Sequence, residues 1–319
     1  MSMKTAEIKF GGRGKKPLAA GQGKVKRTWD RSNEHIRDVM HSAAFLGPSV
    51  TGVAVFFIVP FLVVVYYSII RSPLNPEFVF LDNFKAVLGN SSFRTAASNT
   101  AMFSAIAVPL AVVLSLGLAL LLECRIPCKS LFRTFFLSPM MVPVASVVLI
   151  WQVVFHYRGT LNVILASFHV EPIDWLNSKY CLLVIVVLFL WKNLGYNMIL
   201  FMAALNNIPK ELLEVADVEG ASAAHKFFNI KLRYLSPTVL FVAILSIINS
   251  FKVFREIYLL VGKYPFDGLY MMQHFMNNTF GNLDYQKMSS AAVLMALVMV
   301  ALIALLFKAE DIFGKDVEG

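Results

Sequence analysis

Charge is scarce in this chain. Only 15% of its 319 residues are Asp, Glu, Lys or Arg, while 57% are hydrophobic; a soluble domain carries about 25% charged residues. That deficit points to lipid as the solvent. Cysteine is scarce too. Cys124, Cys128 and Cys181 are an odd set with no paired framework, which argues against a fold built on disulfides. Cys124 and Cys128 stand four apart with no His or further Cys nearby, so they read as small apolar filler rather than metal ligands. Nucleotide-binding glycine loops are missing. In GGRGKK, Lys16 stands where a P-loop needs Ser or Thr, and Lys9 where it needs its first glycine. If ATP is used, a partner subunit binds it. No His–Glu zinc pattern, paired intramembrane aspartates or acidic metal cluster occurs, so no catalytic residue, metal site or bound cofactor is expected.

What the chain has in abundance is long apolar runs. A membrane span needs roughly 20 mostly apolar residues. Six segments qualify: Phe45 to Ile70, Ala96 to Leu122, Leu131 to Phe155, Cys181 to Ala203, Pro237 to about Leu260, and Met288 to Phe307. Each is expected to be helical, because backbone groups in lipid must bond within their own segment. The fold class is therefore an all-α polytopic membrane protein with six transmembrane helices. No cleavable signal peptide is evident, since the first 40 residues are polar and basic.

Lys and Arg set the orientation. The N-terminal tail, the segment after span two, the segment after span four and the C-terminal tail together hold nineteen of them. The loops facing the other way hold seven, and Lys192, Lys252 and Arg255 fall inside spans. Both termini are thus expected in the cytoplasm of a bacterial-type cell membrane. His156 and His169 then lie outside and His225 inside, so they form no common site. The net charge of +9 is concentrated beside the membrane, which suits anionic lipid rather than nucleic acid. Three regions follow: a basic tail over residues 1–41, expected to be disordered; a transmembrane domain over 42–307; and a C-terminal tail over 308–319.

One stretch interrupts the apolar pattern: EVADVEGASAAHKFFNIKLRYLSP, Glu214 to Pro237. Pro209 suits the first turn of a helix. Leu212, Val215 and Ala216 then form a short apolar stripe, with Glu211, Glu214 and Asp217 on a neighbouring face. Gly220 permits a left-handed turn. A second short helix begins near Ser222, runs into Phe227 and Phe228, and leads back to Pro237, where span five starts. This helix–glycine–helix element either rests on lipid headgroups and the bundle or docks a cytoplasmic partner.

The stretch resembles the EAA motif of permease subunits of binding-protein-dependent ABC importers, roughly E-A-A-x-x-D-G-A, eight variable residues, then I-x-L-P. Glu214, Ala216, Gly220, Ala221, Ile230 and Leu232 occupy matching positions without a gap. Val215 replaces the first alanine, Glu219 the aspartate and Arg233 the proline. LWKNLGYNMILFMAALNNIPKELLEVADVEGAS, SPMMVPVASVVLIWQVVF and INSFKVFREIYLL also resemble the carbohydrate-uptake class of maltose and multiple-sugar permeases. The resemblance implies coupling helices seated in a cleft of cytoplasmic ATPase subunits, with Glu214, Ala216, Glu219, Gly220, Ala221, Phe227, Ile230 and Leu232 in the docking element. It also implies a second related permease, and an extracellular solute-binding protein that delivers a sugar, a di- or oligosaccharide. ATP-driven closure of the ATPase dimer would rock the helices between inward- and outward-facing states.

Polar residues within spans are costly and so are candidates for function. Span four carries Trp191, Lys192, Asn193, Tyr196 and Asn197; span five carries Asn249, Phe251, Lys252, Arg255 and Glu256. Trp191, Asn193, Tyr196, Asn197, Asn249, Phe251 and Lys252 offer the mixture of aromatic faces and amides that suits sugars. The same asparagines could instead be interhelical hydrogen bonds. Lys252 and Glu256, four apart, could pair. Span five either ends early, leaving its charges among outer headgroups, or is interrupted near mid-membrane as transporter helices are. Lys192, Lys252 and Arg255 keep open another solute such as a phosphorylated polyol. A secondary transporter is the rival, disfavoured because only Glu256 lies near a span interior; a membrane-embedded enzyme lacks its residues.

Overall fold

A computed structural model describes residues 42, 44–124 and 128–314. The expected basic tail, the segment 125–127 and the last five residues lie outside them. The described chain falls into two units, one ending at Leu62 and one starting at Val63. The first is helical and carries a π-helical turn at Ala54–Ile58. The second holds the residues considered below.

Six helices are long and apolar enough to cross a membrane: Ala44–Ile69, Ser91–Glu123, Val144–Ser167, Cys181–Asn206, Ala223–Val261 and Tyr285–Asp311. Among the described residues no named strand occurs; the one β-bridge joins Ile70 and Phe78. We number the helices from α1 (Ala44–Ile69). Then come α2 (Asp82–Gly89), α3 (Ser91–Glu123), α4 (Lys129–Met141), α5 (Val144–Phe155) and α6 (Thr160–Ser167). Next are α7 (Cys181–Asn206), α8 (Lys210–Val218) and α9 (223–251), followed by α10 (Phe254–Val261), α11 (Met272–Gly281) and α12 (Tyr285–Gly314).

The centre of the bundle is α3 against α7. Ala107, Ala111, Ser115 and Ala119 recur every four residues on α3 and are fully buried. Small residues at that spacing let two helix backbones approach closely where lipid supplies no hydrophobic drive. Above, α7 joins a cluster with Phe103, Ile185, Phe189, Val253 and Ile257. Below, it joins Leu122, Met198, Phe201, Leu235 and Val242. The crossing of α4 over α7 is closer still. A Cβ placed on Gly195 would lie 1.8 Å from the Phe136 carbonyl oxygen, so only glycine fits there.

Two spans depart from the sequence expectation. The third was expected as one helix over Leu131 to Phe155. It is broken at Val142, which is extended before Pro143. Proline lacks an N–H and pushes its predecessor out of the α region, so the ladder stops at Met141. The fifth was expected to begin at Pro237. Instead Pro237 lies inside α9, which runs on from the second short helix through a π-helical turn at Phe227–Lys231. Arg233 stands within this continuous stretch. Arginine, unlike the motif's proline, has a backbone N–H to offer the ladder.

Candidate functional site

The break in the fifth span positions the site. α9 ends at Phe251, Lys252 and Val253 close a turn, and α10 starts at Phe254. The backbone N–H of Lys252 donates to the Asn249 carbonyl at 3.1 Å and that of Arg255 to the Lys252 carbonyl at 3.3 Å, bonds of a tight turn rather than an α-helix. Just before it, the Ser250 hydroxyl meets that of Ser104 on α3 at 2.8 Å. Just after it, Glu256 forms an ion pair with Lys192, which stands at the middle of the 26-residue α7. The turn is therefore level with the middle of α7; Glu256 is buried in the bundle there, while Lys252 and Arg255 are exposed. The break at Met141–Val144 faces it.

Between the two breaks opens a cavity of about 580 Å³. Lys192, Asn193 and Tyr196 of α7 line one side, and Met140 to Val144 another. Asn249, Lys252, Arg255 and Glu256 complete the wall. The Asn249 amide donates to Asn193 Oδ1 at 3.0 Å, and the Asn193 amide donates to the Phe189 carbonyl at 2.8 Å. Glu256 is 5% exposed, and its Oε2 is buried without a hydrogen-bond partner. Arg255 reaches it only at 3.8 Å and stays exposed. The expected Lys252–Glu256 pair is absent, because the break rotates Lys252 out of helical register with Glu256. Lys192 is the carboxylate's partner instead.

Of the seven residues expected along a solute pathway, Asn193, Tyr196, Asn249 and Lys252 line this cavity. The other three do not. Asn197 is buried and donates to the Ser246 hydroxyl at 3.2 Å, a bond between α7 and α9. Trp191 turns the other way, against Trp151, in a small apolar recess with Val147 and Ile150. Phe251 lines a different, almost wholly apolar hollow between α3, α9 and α12. Residues four apart on α7 share a face, but that face meets the cavity at Asn193 and the neighbouring helix at Asn197. The segment Met140 to Val144 was not anticipated; the Pro143 break was its only signal.

The polar stretch forms a second site. α8 begins after Pro209, which serves as N-cap rather than as a first-turn residue. It ends in a Schellman motif. The Ala221 N–H donates to the Ala216 carbonyl at 2.9 Å and the Gly220 N–H to that of Asp217 at 3.1 Å, with Gly220 at φ +77°. Ser222 caps the next helix, its hydroxyl accepting from the His225 N–H at 3.2 Å. An Asp217–Lys226 ion pair spans the elbow. The expected stripe splits. Ala216 is buried and Leu213 packs on the bundle, while Leu212, Val215 and Val218 are exposed, Val218 to 89%. Glu214, Glu219 and Gly220 are exposed; Ala221, Phe227, Ile230 and Leu232 are half-buried. At the base of α9, Lys231 binds Glu123 of α3 at 2.7 Å.

Residues 111–318 match the family described as binding-protein-dependent transport system inner membrane component. The chain is 32% identical over 213 residues to the arabinooligosaccharides transport system permease protein AraP of Halalkalibacterium halodurans, covering 63% of this chain and 67% of that one. It is 29% identical to the sn-glycerol-3-phosphate transport system permease protein UgpA of Agrobacterium fabrum, over 82% and 92%. With the trehalose/maltose transport system permease protein MalF of Thermococcus litoralis the identity is 30%, over 84% and 92%. Among solved structures, a chain of a bacterial ABC transporter involved in the import of the acidic polysaccharide alginate superposes with a TM-score of 0.76 at 17% identity. That match covers 88% of this chain and 98% of the other, and is a likeness of fold.

Proposed function

Because this chain belongs to the family of binding-protein-dependent transport system inner membrane components, we propose that it is half of the translocation pathway of an ATP-driven importer for a carbohydrate. The observation that carries the reading is the polar cavity at the two helix interruptions. Asn193, Asn249 and Tyr196 supply amides and a phenol to a solute rich in hydroxyls, inside an otherwise apolar bundle. The second wall would come from a related permease, and an extracellular binding protein would deliver the solute. Both termini would be cytoplasmic.

ATP enters through a partner. The elbow at Gly220 offers Leu212, Val215 and Val218 as exposed apolar side chains beside exposed Glu214 and Glu219. That surface suits the cleft of a cytoplasmic ATPase better than bulk water does. A secondary transporter needs an ion-coupling carboxylate, and the one carboxylate lining the cavity is held by Lys192.

Uptake in cells decides between these. Transport should stop when ATP is depleted with the proton gradient kept intact. Asn193→Leu and Asn249→Leu should each lower uptake while the ATPase still co-purifies. Uptake that survives ATP depletion would overturn the importer reading. Normal uptake in both variants would move the solute site elsewhere.

A further inference from the structure

The charge balance of the cavity narrows the solute. Its wall holds three cations and one carboxylate. Lys192 and Glu256 neutralise each other. Lys252 is exposed, and among the described residues its ammonium has neither ion-pair nor hydrogen-bond partner. Arg255 is exposed as well and meets a carboxylate only at 3.8 Å, one already taken by Lys192. Arg255 thus only shares a carboxylate with Lys192 and Lys252 has none, so the wall carries a surplus of positive charge.

Their depth makes this informative. Near a membrane surface, free lysines and arginines simply reach for headgroups. Here Lys252 follows Ser250, which is bonded to the interior of α3, and Arg255 precedes Glu256, which is bonded to the middle of α7. Surplus positive charge level with the middle of an apolar helix is costly and is kept where it meets a charged ligand or lines a polar pathway. A neutral sugar would be served by the amides alone. Guanidinium and ammonium groups are the usual receivers of carboxylate and phosphate, the guanidinium in a two-pronged fork.

We propose that the solute is an anionic carbohydrate, a sugar or polyol bearing a carboxylate or phosphate, with Lys252 and Arg255 receiving the anion and Asn193 and Asn249 the hydroxyls. This rests on the carbohydrate-importer reading above. The Lys192–Glu256 pair holds α10 against α7 and contributes no net charge to the ligand.

The test uses the whole importer, captured through a tag on this chain and reconstituted in proteoliposomes with its binding protein. The vesicles are offered a cell metabolite extract with ATP on the ATPase side, and the accumulated solutes are identified by mass spectrometry. A carbohydrate carrying a carboxylate or a phosphate is expected, and its mass distinguishes the two. Lys252→Gln and Arg255→Gln should each cut its uptake tenfold or more, with Lys252→Arg retaining most of it and co-purified ATPase confirming assembly. A neutral carbohydrate in the lumen overturns the charge assignment and leaves the importer reading intact. So does an anionic one whose uptake ignores both substitutions. Accumulation of a non-carbohydrate solute, or of nothing, overturns both.

Discussion

The ion pair between Lys192 and Glu256 offers the sharpest test of the broken fifth span. Its two partners are unequally buried: the Glu256 side chain is 7% exposed and that of Lys192 26%. Lys192→Met would strand a largely buried carboxylate that already lacks a partner on Oε2. Breaking a buried pair from one side costs about 3–5 kcal/mol. Arg255, at 3.8 Å, recovers part of that, so a loss of about 3 kcal/mol is expected. Glu256→Gln should cost less, about 1–2 kcal/mol, because Lys192 can swing its ammonium into the wet cavity. The double variant Lys192→Met with Glu256→Gln should lose no more than about 1–2 kcal/mol, far less than the two single losses added together, since no charge is left buried. The assay is unfolding in mixed micelles by increasing SDS fraction, read on all four proteins. A Lys192→Met loss no larger than that of Glu256→Gln would refute the unequal burial. An additive double variant would refute the pair itself.

Four further outcomes follow. Gly195→Val should abolish accumulation of folded protein, because its side chain would collide with the Phe136 carbonyl, and backbone cannot step aside; normal yield in membranes would refute the α4–α7 crossing. At Gly220 a Cβ meets no atom within 4 Å, so Gly220→Val carries mainly the strain of φ +77°, about 1 kcal/mol or more, and membrane abundance should hold while ATPase pull-down or coupled hydrolysis falls; intact coupling would favour a plain surface helix. Cysteines placed at Asp82 and Asp267 should react with an impermeant reagent from outside intact cells; labelling only after permeabilisation would reverse the orientation. His274, fully buried on α11 outside the spans, has its pKa lowered by desolvation to about 4. The unfolded chain takes a proton near pH 6.5 that the folded one refuses, so stability should hold above pH 6.5 and fall by up to about 3 kcal/mol towards pH 4; His274→Gln should flatten that decline in an unfolding midpoint measured against pH.

Hydropathy made the six spans legible, because length and apolarity are properties of a segment alone. The glycine elbow was legible for a similar reason: a Schellman motif is local, and Gly220 with Ser222 two residues on is its signature. What could not be read was direction. Asn193 and Asn197 are one helical turn apart, yet one faces a cavity and the other Ser246, because the neighbours that decide this come from a helix some fifty residues away. The Lys192–Glu256 pair was hidden by the same distance in sequence; within span five alone, Lys252 is the natural partner at i,i+4. The break at Val142 had a visible cause in Pro143, but Pro109 and Pro237 sit inside continuous helices. A proline in a span shows where a ladder bond is missing, and packing decides whether the chain turns there.

The continuity of α9 joins the two sites mechanically. From Ala223 at the elbow to Phe251 at the break it has 29 residues, a rod of about 43 Å. One end carries the ion pair from Lys226 to Asp217 and the other carries Asn249 and, one residue past the rod, Lys252 in the cavity wall. Its base is tied to α3 by Lys231 and Glu123, and near its far end Ser246 is tied to α7 by Asn197. A displacement imposed at the elbow reaches the cavity without crossing a flexible joint. The joint that remains is the turn at Lys252 and Val253, where the α-helical ladder is already interrupted. Movement of α9 would therefore change the angle between α9 and α10 at the point where Lys252 and Arg255 stand. On the docking proposed above, the energy of the elbow contact would be delivered to the cavity-lining residues Asn249 and Lys252.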